Sequence, residues 1–210
     1  MNLPDDALAA LWALYDASGI RPEYVLPVLY YESSFRPDAL NAPTEASGLG
    51  QDLGVYLRRK GIDPTDYRTW SAAEQIDRVI APRLTTLAKH YGIPRSATRV
   101  YQSNFMPATL ATAPALWSPV AWAGSQEYAS NPHVDRIGKG SITVSDFAAL
   151  VASVKNAPEL KNAIARAYQV RKTDGPAREP IYGADFPGFG LLDLGALATL
   201  VAGASALRRT

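Results

Sequence analysis

Hydrophobic residues recur at three- and four-residue spacing along most of this chain, the pattern of helices with one buried face. A first helix is predicted from Pro4 to Gly19, since proline suits a first helical turn and glycine ends a helix. A second begins at Pro22 and ends near Ser34, because Pro37 disfavours helical backbone in the residue before it. The apolar face of this second helix is Val25, Leu26, Val28 and Leu29.

Further helical signals follow in the central and C-terminal parts of the chain. Ser71 and Glu74 form a capping-box pattern that opens an amphipathic stripe to Leu87, which Pro82 should kink. Other helices are predicted near 95–104 and 107–116, from Thr143 to Val154, and from Pro158 to about Val170. No stretch shows sustained strand alternation, so the predicted fold class is mainly α, with strands as a minor element.

Composition limits the possible partners and the number of domains. The chain has 210 residues, of which 47% are hydrophobic and 20% charged, and its formal net charge is +1. These values are typical of a globular protein with one domain plus an appendage. Lys and Arg are scattered among nearly equal numbers of Asp and Glu, so nucleic acid is not an expected partner. We place a helical domain in residues 1–156 and a C-terminal helical arm with a linker in residues 157–210.

The C-terminal part divides into two stretches of different composition. Residues 171–190 are rich in glycine, proline and charge, which is typical of a linker. Residues 191–207 are nearly all Leu, Ala, Gly and Val, and their length approaches a membrane span. Alanine and glycine are only weakly hydrophobic and Asp193 would be costly in lipid, so a buried packing helix or a subunit contact is favoured over a membrane helix.

Several kinds of chemistry are poorly supported by the residues present. The chain has no cysteine, which excludes disulfides and thiolate catalysis. His90 and His133 stand far apart without companion ligands, so we interpret them as structural or surface residues and expect no metal and no cofactor. The stretch Met1–Asp6 is acidic and lacks the charged and apolar runs of a secretion signal, which predicts synthesis in the cytoplasm.

The candidate catalytic group is Glu32, at the C-terminal end of the apolar second helix. The negative end of the helix dipole and the apolar neighbours both disfavour a carboxylate there, so its pKa should be raised. A carboxylic acid that keeps its proton near neutral pH can protonate the leaving oxygen of a glycosidic bond. The alternative is that Glu32 is an ordinary solvated glutamate at a helix end.

Two stretches around Glu32 resemble motifs of a known family. Residues 32–41 read Glu-Ser-Ser-Phe-Arg-Pro-Asp-Ala-Leu-Asn and residues 47–51 read Ser-Gly-Leu-Gly-Gln, which resembles the soluble lytic transglycosylase and goose-type lysozyme superfamily, phage-associated type. The resemblance implies a lysozyme-like helical domain in which Glu32 acts first as acid and then as base on the β-1,4 bond between N-acetylmuramic acid and N-acetylglucosamine. In transglycosylases the muramoyl 6-hydroxyl attacks its own anomeric carbon and leaves a 1,6-anhydro end. The residues expected to bind the glycan in these two stretches are Ser33, Gly48, Leu49 and Gln51.

One position in the second motif departs from the family pattern. The family usually has Gly-Leu-Met-Gln, whereas this chain has Gly50 in place of the methionine. The cleft therefore lacks one lining side chain, which changes the expected subsite geometry but not the expected fold.

A third family motif, often Ala-Tyr-Asn, places a tyrosine and an asparagine across the cleft to hold the acetamido group. Two segments here are similar to it, one with Tyr101 and Asn104 and the other with Tyr128 and Asn131. Tyr101 and Asn104 have i, i+3 spacing on a predicted helix and can share one face, which favours that pair slightly. Either tyrosine has core packing as its alternative role.

A second catalytic carboxylate would change the expected reaction. Asp38, Glu45 and Asp52 are near enough to Glu32 in the chain to be candidates. A carboxylate facing Glu32 across a water-sized gap would permit hydrolysis with inversion.

Residues 131–146 resemble a degenerate EF-hand loop, a segment that often follows the catalytic region in phage-associated transglycosylases. With Asp135 as position 1, Gly140 falls at position 6 and Asp146 at position 12. Positions 3 and 5 are Ile137 and Lys139, which cannot supply oxygen ligands, so calcium binding is not expected although the loop shape can survive.

The sequence therefore predicts a peptidoglycan-cleaving lytic transglycosylase whose partner is the glycan strand. The near-neutral charge and the missing signal predict that it is carried in a virion or phage tail and acts in the periplasm or cell wall, with 157–210 contacting other virion proteins. Two alternatives stay open: a catalytically weak or inactive structural virion protein with the same fold, and a muramidase that hydrolyses the bond.

Overall fold

The computed structural model of the chain describes residues 2–113 and 115–172, and within them helices predominate. The predicted mainly α class is confirmed. The helices are α1 Asp5–Ser18, α2 Pro22–Ser33, α3 Gly54–Arg59, α4 Pro64–Tyr67, α5 Ala72–Gln75, a π-helical turn Ile76–Ile80, α6 Ala81–Tyr91, α7 Ala97–Phe105, α8 Thr109–Thr112, α9 Gln126–Ser130, a 3-10 turn Pro132–Val134, α10 Val144–Ser153 and α11 Pro158–Arg171. The strands are β1 Leu40–Asn41, β2 Ala46–Ser47, β3 Pro119–Trp122 and β4 Ser141–Thr143. They form two antiparallel pairs, β1 with β2 and β3 with β4.

Helix α2 lies at the centre of the core, where it packs against α1, α7, α10 and α11. Its predicted apolar face is buried, and Leu26 and Leu29 are at most 2% exposed. Most side chains of α2 are apolar, as suits a helix covered on several sides; the acidic Glu23 lies in its first turn, and Glu32 and Ser33 lie in its last. The core thus holds the helix that carries the candidate acid.

The end of α2 is fixed by two residues with left-handed backbone. Ser34 has φ 53° and caps the helix by donating its N–H to the Tyr30 carbonyl over 2.8 Å, and Phe35 has φ 63°. Such conformations are unfavourable for residues with a Cβ atom. The ring of Phe35 is 1% exposed and packs edge-on against Tyr30, which offsets that cost. The predicted helix end near Ser34 is therefore correct.

The predicted long helix from Ser71 to Leu87 is present, with a different internal geometry. Its capping box is confirmed: the Ser71 N–H donates to Glu74 Oε2 at 2.8 Å, and the Glu74 N–H donates to Ser71 Oγ at 3.2 Å. The expected effect of Pro82 was a kink, but the chain forms a π-helical turn just before it, with the Ala81 N–H bonded to the Ile76 carbonyl. A π-turn changes the bonding register at the place where proline has no N–H to donate.

The predicted helix at 107–116 is wrong in extent, since α8 spans only Thr109–Thr112. Helices α7, α10 and α11 lie close to their predicted positions, and the capping box from Thr143 to Asp146 is present.

Helix α11 belongs to the same core as α1 and α2. Its Leu160 and Ala167 are fully buried, and Trp12 of α1 donates its indole N–H to the Ala167 carbonyl at 2.6 Å. The predicted division after residue 156 therefore does not separate α11 from the domain. The predicted linker beyond residue 172 and the apolar stretch 191–207 lie outside the described residues. Among the helices of the described part, none has both the length and the hydropathy to span a membrane.

Candidate active site

Glu32 extends the buried stripe of α2 by one more turn. Val25, Val28 and Leu29 share its face and line a small, water-sized pocket. The pocket wall is completed by residues from four other segments: Gly50, Ile80, Arg83, Leu84, Val100 and Asn104. The pocket beside the candidate acid is thus mostly apolar, with one cation and one amide.

The pKa of Glu32 is raised to about 7, and burial of the carboxyl group is the main cause. Arg83 and a hydrogen bond with Asn104 favour the charged form, whereas the charge of Asp52 opposes it. The Glu32 side chain is only partly covered, so its proton remains exchangeable with solvent. Near neutral pH a large share of Glu32 is therefore protonated and able to act as an acid.

Helix α7 places Tyr101 and Asn104 next to Glu32. The Tyr101 ring packs edge-on against Tyr31 at 5.6 Å between centroids, and its pKa is raised by burial and by the nearby Glu32 charge. Asn104 donates from Nδ2 to the Gly50 carbonyl at 3.3 Å, while its Oδ1 is buried and has no hydrogen-bond partner among the described residues. The structure thus brings one of the two predicted tyrosine–asparagine pairs to the acid.

The other predicted pair bonds within its own segment. The Tyr128 hydroxyl donates to Asp135 Oδ2 at 2.9 Å, and Asn131 donates to the Glu127 carbonyl at 3.1 Å. Tyr128 therefore holds the loop that follows it.

The residues of the first two motifs differ in how accessible their side chains are. Ser33 is buried and its hydroxyl donates to the Leu29 carbonyl at 3.0 Å, and the Leu49 side chain is fully buried in the core. Gln51 is partly exposed and donates to the Gly48 carbonyl at 3.1 Å. Of this set, Gln51 offers the most open side chain, whereas Ser33 and Leu49 hold the backbone in place.

Gly48 and Gln75 together fix the conformation of the second motif, residues 47–51. Gly48 has φ 76°, and a Cβ atom there would lie 2.6 Å from the Tyr67 ring and clash with the Gln75 side chain. Gln75 is fully buried, accepts the Leu49 N–H at 2.9 Å, and donates to the carbonyls of Pro37, Tyr67 and Trp70. Sequence reasoning missed Gln75; its signal is a polar residue at the start of an apolar stripe.

The three candidate second carboxylates have different surroundings. Asp38 is exposed, and Glu45 is exposed and paired with Arg58. Asp52 affects the charge state of Glu32 but is itself fully buried, where it accepts the Tyr67 hydroxyl at 2.8 Å and pairs with Arg83 at 3.0 Å. Asp52 is therefore committed to an ion pair.

Arg83 occupies the space beside the unusual glycine of the second motif. A Cβ atom at Gly50 would lie 3.3 Å from Asp52 Oδ2, 3.4 Å from Arg83 Nη2 and 3.4 Å from the Ile80 side chain. The side chain missing at position 50 thus leaves room for the Arg83–Asp52 pair. Arg83 was also missed by sequence reasoning, since no local pattern distinguishes it from the other arginines.

In the loop from Asp135 to Asp146, Lys139 pairs with the acidic residues at both ends. Lys139 Nζ lies 3.4 Å from Asp135 Oδ1 and 2.6 Å from Asp146 Oδ2, the residues at positions 1 and 12. Burial disfavours the Asp135 charge, but hydrogen bonds from Tyr128 and from the Lys139 and Gly140 amides outweigh it and lower the pKa of Asp135 to about 2. The ammonium group thus takes a place between two carboxylates that a cation would otherwise bridge.

Comparison with protein family models, with curated proteins and with solved structures gave no match. Across residues 2–113 and 115–172, no three His, Asp or Glu side chains gather into a group that could hold a metal ion. A proposal of function therefore depends on the geometry around Glu32 and on the motif resemblance.

Proposed function

We propose that the protein is a lytic transglycosylase with a lysozyme-like fold that cleaves the β-1,4 bond between N-acetylmuramic acid and N-acetylglucosamine. The observation that carries this proposal is the partly buried Glu32, whose pKa is raised to about 7 and which faces Tyr101 and Asn104 beside a pocket. An acid with a pKa near the working pH is well matched to protonating a leaving oxygen.

In the proposed reaction, the carboxyl group of Glu32 acts first as the acid and then as the base. Protonated Glu32 gives its proton to the glycosidic oxygen as the bond between that oxygen and the anomeric carbon breaks, and Glu32 becomes a carboxylate. The carboxylate then removes the proton of the muramoyl 6-hydroxyl, whose oxygen forms a bond to the same anomeric carbon. The products are a 1,6-anhydro end and a free 4-hydroxyl, and Glu32 is protonated again.

The state of Asp52 favours transglycosylation over hydrolysis. Hydrolysis with inversion needs a second carboxylate roughly 6.5–9.5 Å from the acid with room for a water between them. Asp52 is buried, accepts a hydrogen bond from Tyr67 and forms an ion pair with Arg83, and Asp38 and Glu45 are on the surface. Internal attack by a hydroxyl of the substrate requires no second carboxylate.

A carrier particle is part of the proposal. The formal net charge of +1 gives little long-range attraction to an anionic cell wall, so a virion or phage tail would bring the enzyme to its substrate. The sequence resemblance of residues 131–146 to a degenerate EF-hand loop supports the phage-associated type of the family, since such a segment often follows the catalytic region there.

A second candidate function is a structural virion protein that keeps the fold without the activity. One observation favours it: the Arg83–Asp52 pair fills space beside Gly50 where the family has a side chain that lines the sugar cleft. If the pair narrows the subsite, glycan strands would not bind productively.

Digestion of purified peptidoglycan, with mass spectrometry of the released muropeptides, tests these proposals. The wild-type protein should produce 1,6-anhydro-muramoyl ends, and Glu32→Gln should not. The same change at Glu127, an exposed residue of α9, is the matched control and should retain activity. Reducing muramoyl ends would identify a hydrolase, and an inactive wild-type protein that is correctly folded would support the structural candidate.

A further inference from the structure

Among the described residues that line the pocket beside Glu32, Arg83 is the one with a charged side chain. It comes from the first turn of α6, and its side chain is 17% exposed. The pocket also contains the apolar stripe of α2, which leads to Glu32, and the amide of Asn104. A cation in this wall is unusual, because burial removes its hydration and protein groups must supply the lost hydrogen bonds and opposite charge.

The partners of Arg83 hold it in one orientation. Nη1 pairs with Asp52 at 3.0 Å, and Asp52 is held in turn by the Tyr67 hydroxyl at 2.8 Å. The Arg83 Nη2 atom lies 3.4 Å from the Cβ position of Gly50, so a side chain there would press on the guanidinium group. The Nε atom is buried without a hydrogen-bond partner in the described part of the chain. Asp52 accordingly uses only part of the donor capacity of Arg83.

Charged and titratable groups from several segments face Glu32. Tyr31 is its neighbour on α2 and Tyr101 lies on α7, and both are coupled to its charge. Arg83 of α6 and Asp52, after β2, affect Glu32 with opposite signs. Arg136 interacts with Tyr31 and is the next cation beyond this group. The net electrostatic effect on Glu32 therefore depends on both members of the Arg83–Asp52 pair.

We propose that Arg83 is a positioning residue for the reaction of Glu32: anchored on Asp52 under Gly50, its guanidinium group stabilises the carboxylate that forms when Glu32 releases its proton. This inference rests on the proposed function. Asp52 moderates the effect, because an unopposed arginine would ionise Glu32 before the substrate binds. The Arg83–Asp52 pair thus leaves Glu32 protonated before the reaction and still stabilises the Glu32 carboxylate when it forms.

The proposal also explains the glycine at position 50. A methionine there, as in the family pattern, would occupy space next to the guanidinium and carboxylate groups. Gly50→Met should therefore displace Arg83 from Asp52 and alter the same pH limb of activity that an Arg83 variant alters.

The test compares two neutral variants that should act in opposite directions. Activity should fall with rising pH as Glu32 loses its proton. Arg83→Gln should move this limb to higher pH, and Asp52→Asn should move it to lower pH, each on the order of one pH unit or roughly tenfold in rate on the limb. Arg83→Lys keeps the charge and should restore most of the wild-type profile. Lys89→Gln removes an exposed cation from the same helix and should not move the limb.

A second measurement does not depend on activity. The titration of Glu32 can be followed by infrared difference spectroscopy, with Glu32→Gln as the reference that identifies its carboxyl band, and melting curves verify that each variant folds. Opposite shifts of this titration in a protein without glycan cleavage would support the role of Arg83 and reject the proposed function. Equal or absent shifts in well-folded Arg83→Gln and Asp52→Asn would overturn the role of Arg83, whether or not the protein is active.

Discussion

Two acidic groups in this protein, Glu32 and Asp135, lie in shielded surroundings and have opposite electrostatic properties. Burial disfavours the charge of both. Yet the pKa of Glu32 is raised to about 7, whereas that of Asp135 is lowered to about 2. The number of donors explains the difference. Asp135 accepts a hydroxyl, two backbone amides and the Lys139 ammonium, whereas Glu32 has one amide from Asn104 and the field of Arg83.

The comparison shows that burial alone does not determine the role of a carboxylate. A carboxylate with several donors is held as an anion and organises a loop, because each bond to the charged form favours it. A carboxyl group with few donors keeps its proton and can transfer it. The two sites can be tested separately, because changes at Glu32 should affect activity and changes at Asp135 should affect folding.

The largest expected effect is on activity at Glu32. Glu32→Gln should lower the rate of peptidoglycan cleavage by roughly 10²–10⁴-fold, the usual contribution of a general acid. The same variant should be more stable than wild type above pH 7, by about 2 kcal/mol after allowing for partial exposure, because it removes a group that resists ionisation. A raised pKa stabilises the folded state fully below pH ~4.5, and this contribution is lost as pH rises through about 7.

Urea unfolding of wild type and Glu32→Gln between pH 4 and pH 9 measures this difference. The two curves should coincide near pH 4, separate between about pH 4.5 and pH 7, and stay apart at higher pH. If the two curves stay parallel over the whole range, Glu32 titrates as an ordinary surface group, and the contrast between Glu32 and Asp135 is wrong for Glu32.

A smaller effect, on folding alone, is expected at Asp135. Asp135→Asn should lower the free energy of unfolding by about 1–2 kcal/mol at pH 7, because hydrogen bonds to a charged acceptor are replaced by weaker ones. A lowered pKa gives stability that is present above the unfolded value near 4 and is lost as pH falls through about 2. Thermal melts should therefore show the wild-type advantage at pH 7 and its loss near pH 2. An advantage that does not change with pH would contradict this explanation.

The smallest effect is expected at Lys139, whose side chain is 27% exposed. Lys139→Met should cost about 1 kcal/mol, since it leaves Asp135 and Asp146 facing each other without the ammonium between them. Melting temperatures of wild type should be the same with calcium and with a chelator, and Lys139→Asp should gain stability on adding calcium. If calcium does not change the melting temperature of Lys139→Asp, the loop does not have the geometry of an ion-binding loop.

Local signals in the sequence predicted much of the fold. Proline and glycine positions set the ends of α1 and α2, and capping boxes located the helices after Ser71 and Thr143. These signals act within a few residues, so they can be read without the tertiary structure. The position of Glu32 at a helix end followed from the same reasoning.

The surroundings of Glu32 were only partly predictable, because they depend on contacts between distant segments. Tyr101 and Asn104 were chosen from a motif, but Arg83 and Gln75 were not identified. Gln75 donates a hydrogen bond to the Pro37 carbonyl, 38 residues away in the chain, and Arg83 of α6 pairs with Asp52, which lies between β2 and α3. The π-helical turn before Pro82 was missed for a related reason, since a proline can be accommodated by a kink or by a changed bonding register.

Gln75 has a consequence for how much variation this fold can accept. Its Oε1 accepts a hydrogen bond from a backbone N–H, and its Nε2 donates to three carbonyl oxygens. Both ends of the side-chain amide are therefore hydrogen-bonded. Glutamate, which has the same shape, would present a lone pair to those carbonyls, and asparagine would be one methylene too short to reach them. Homologues that keep this loop should therefore keep a glutamine there even where the neighbouring apolar residues exchange freely.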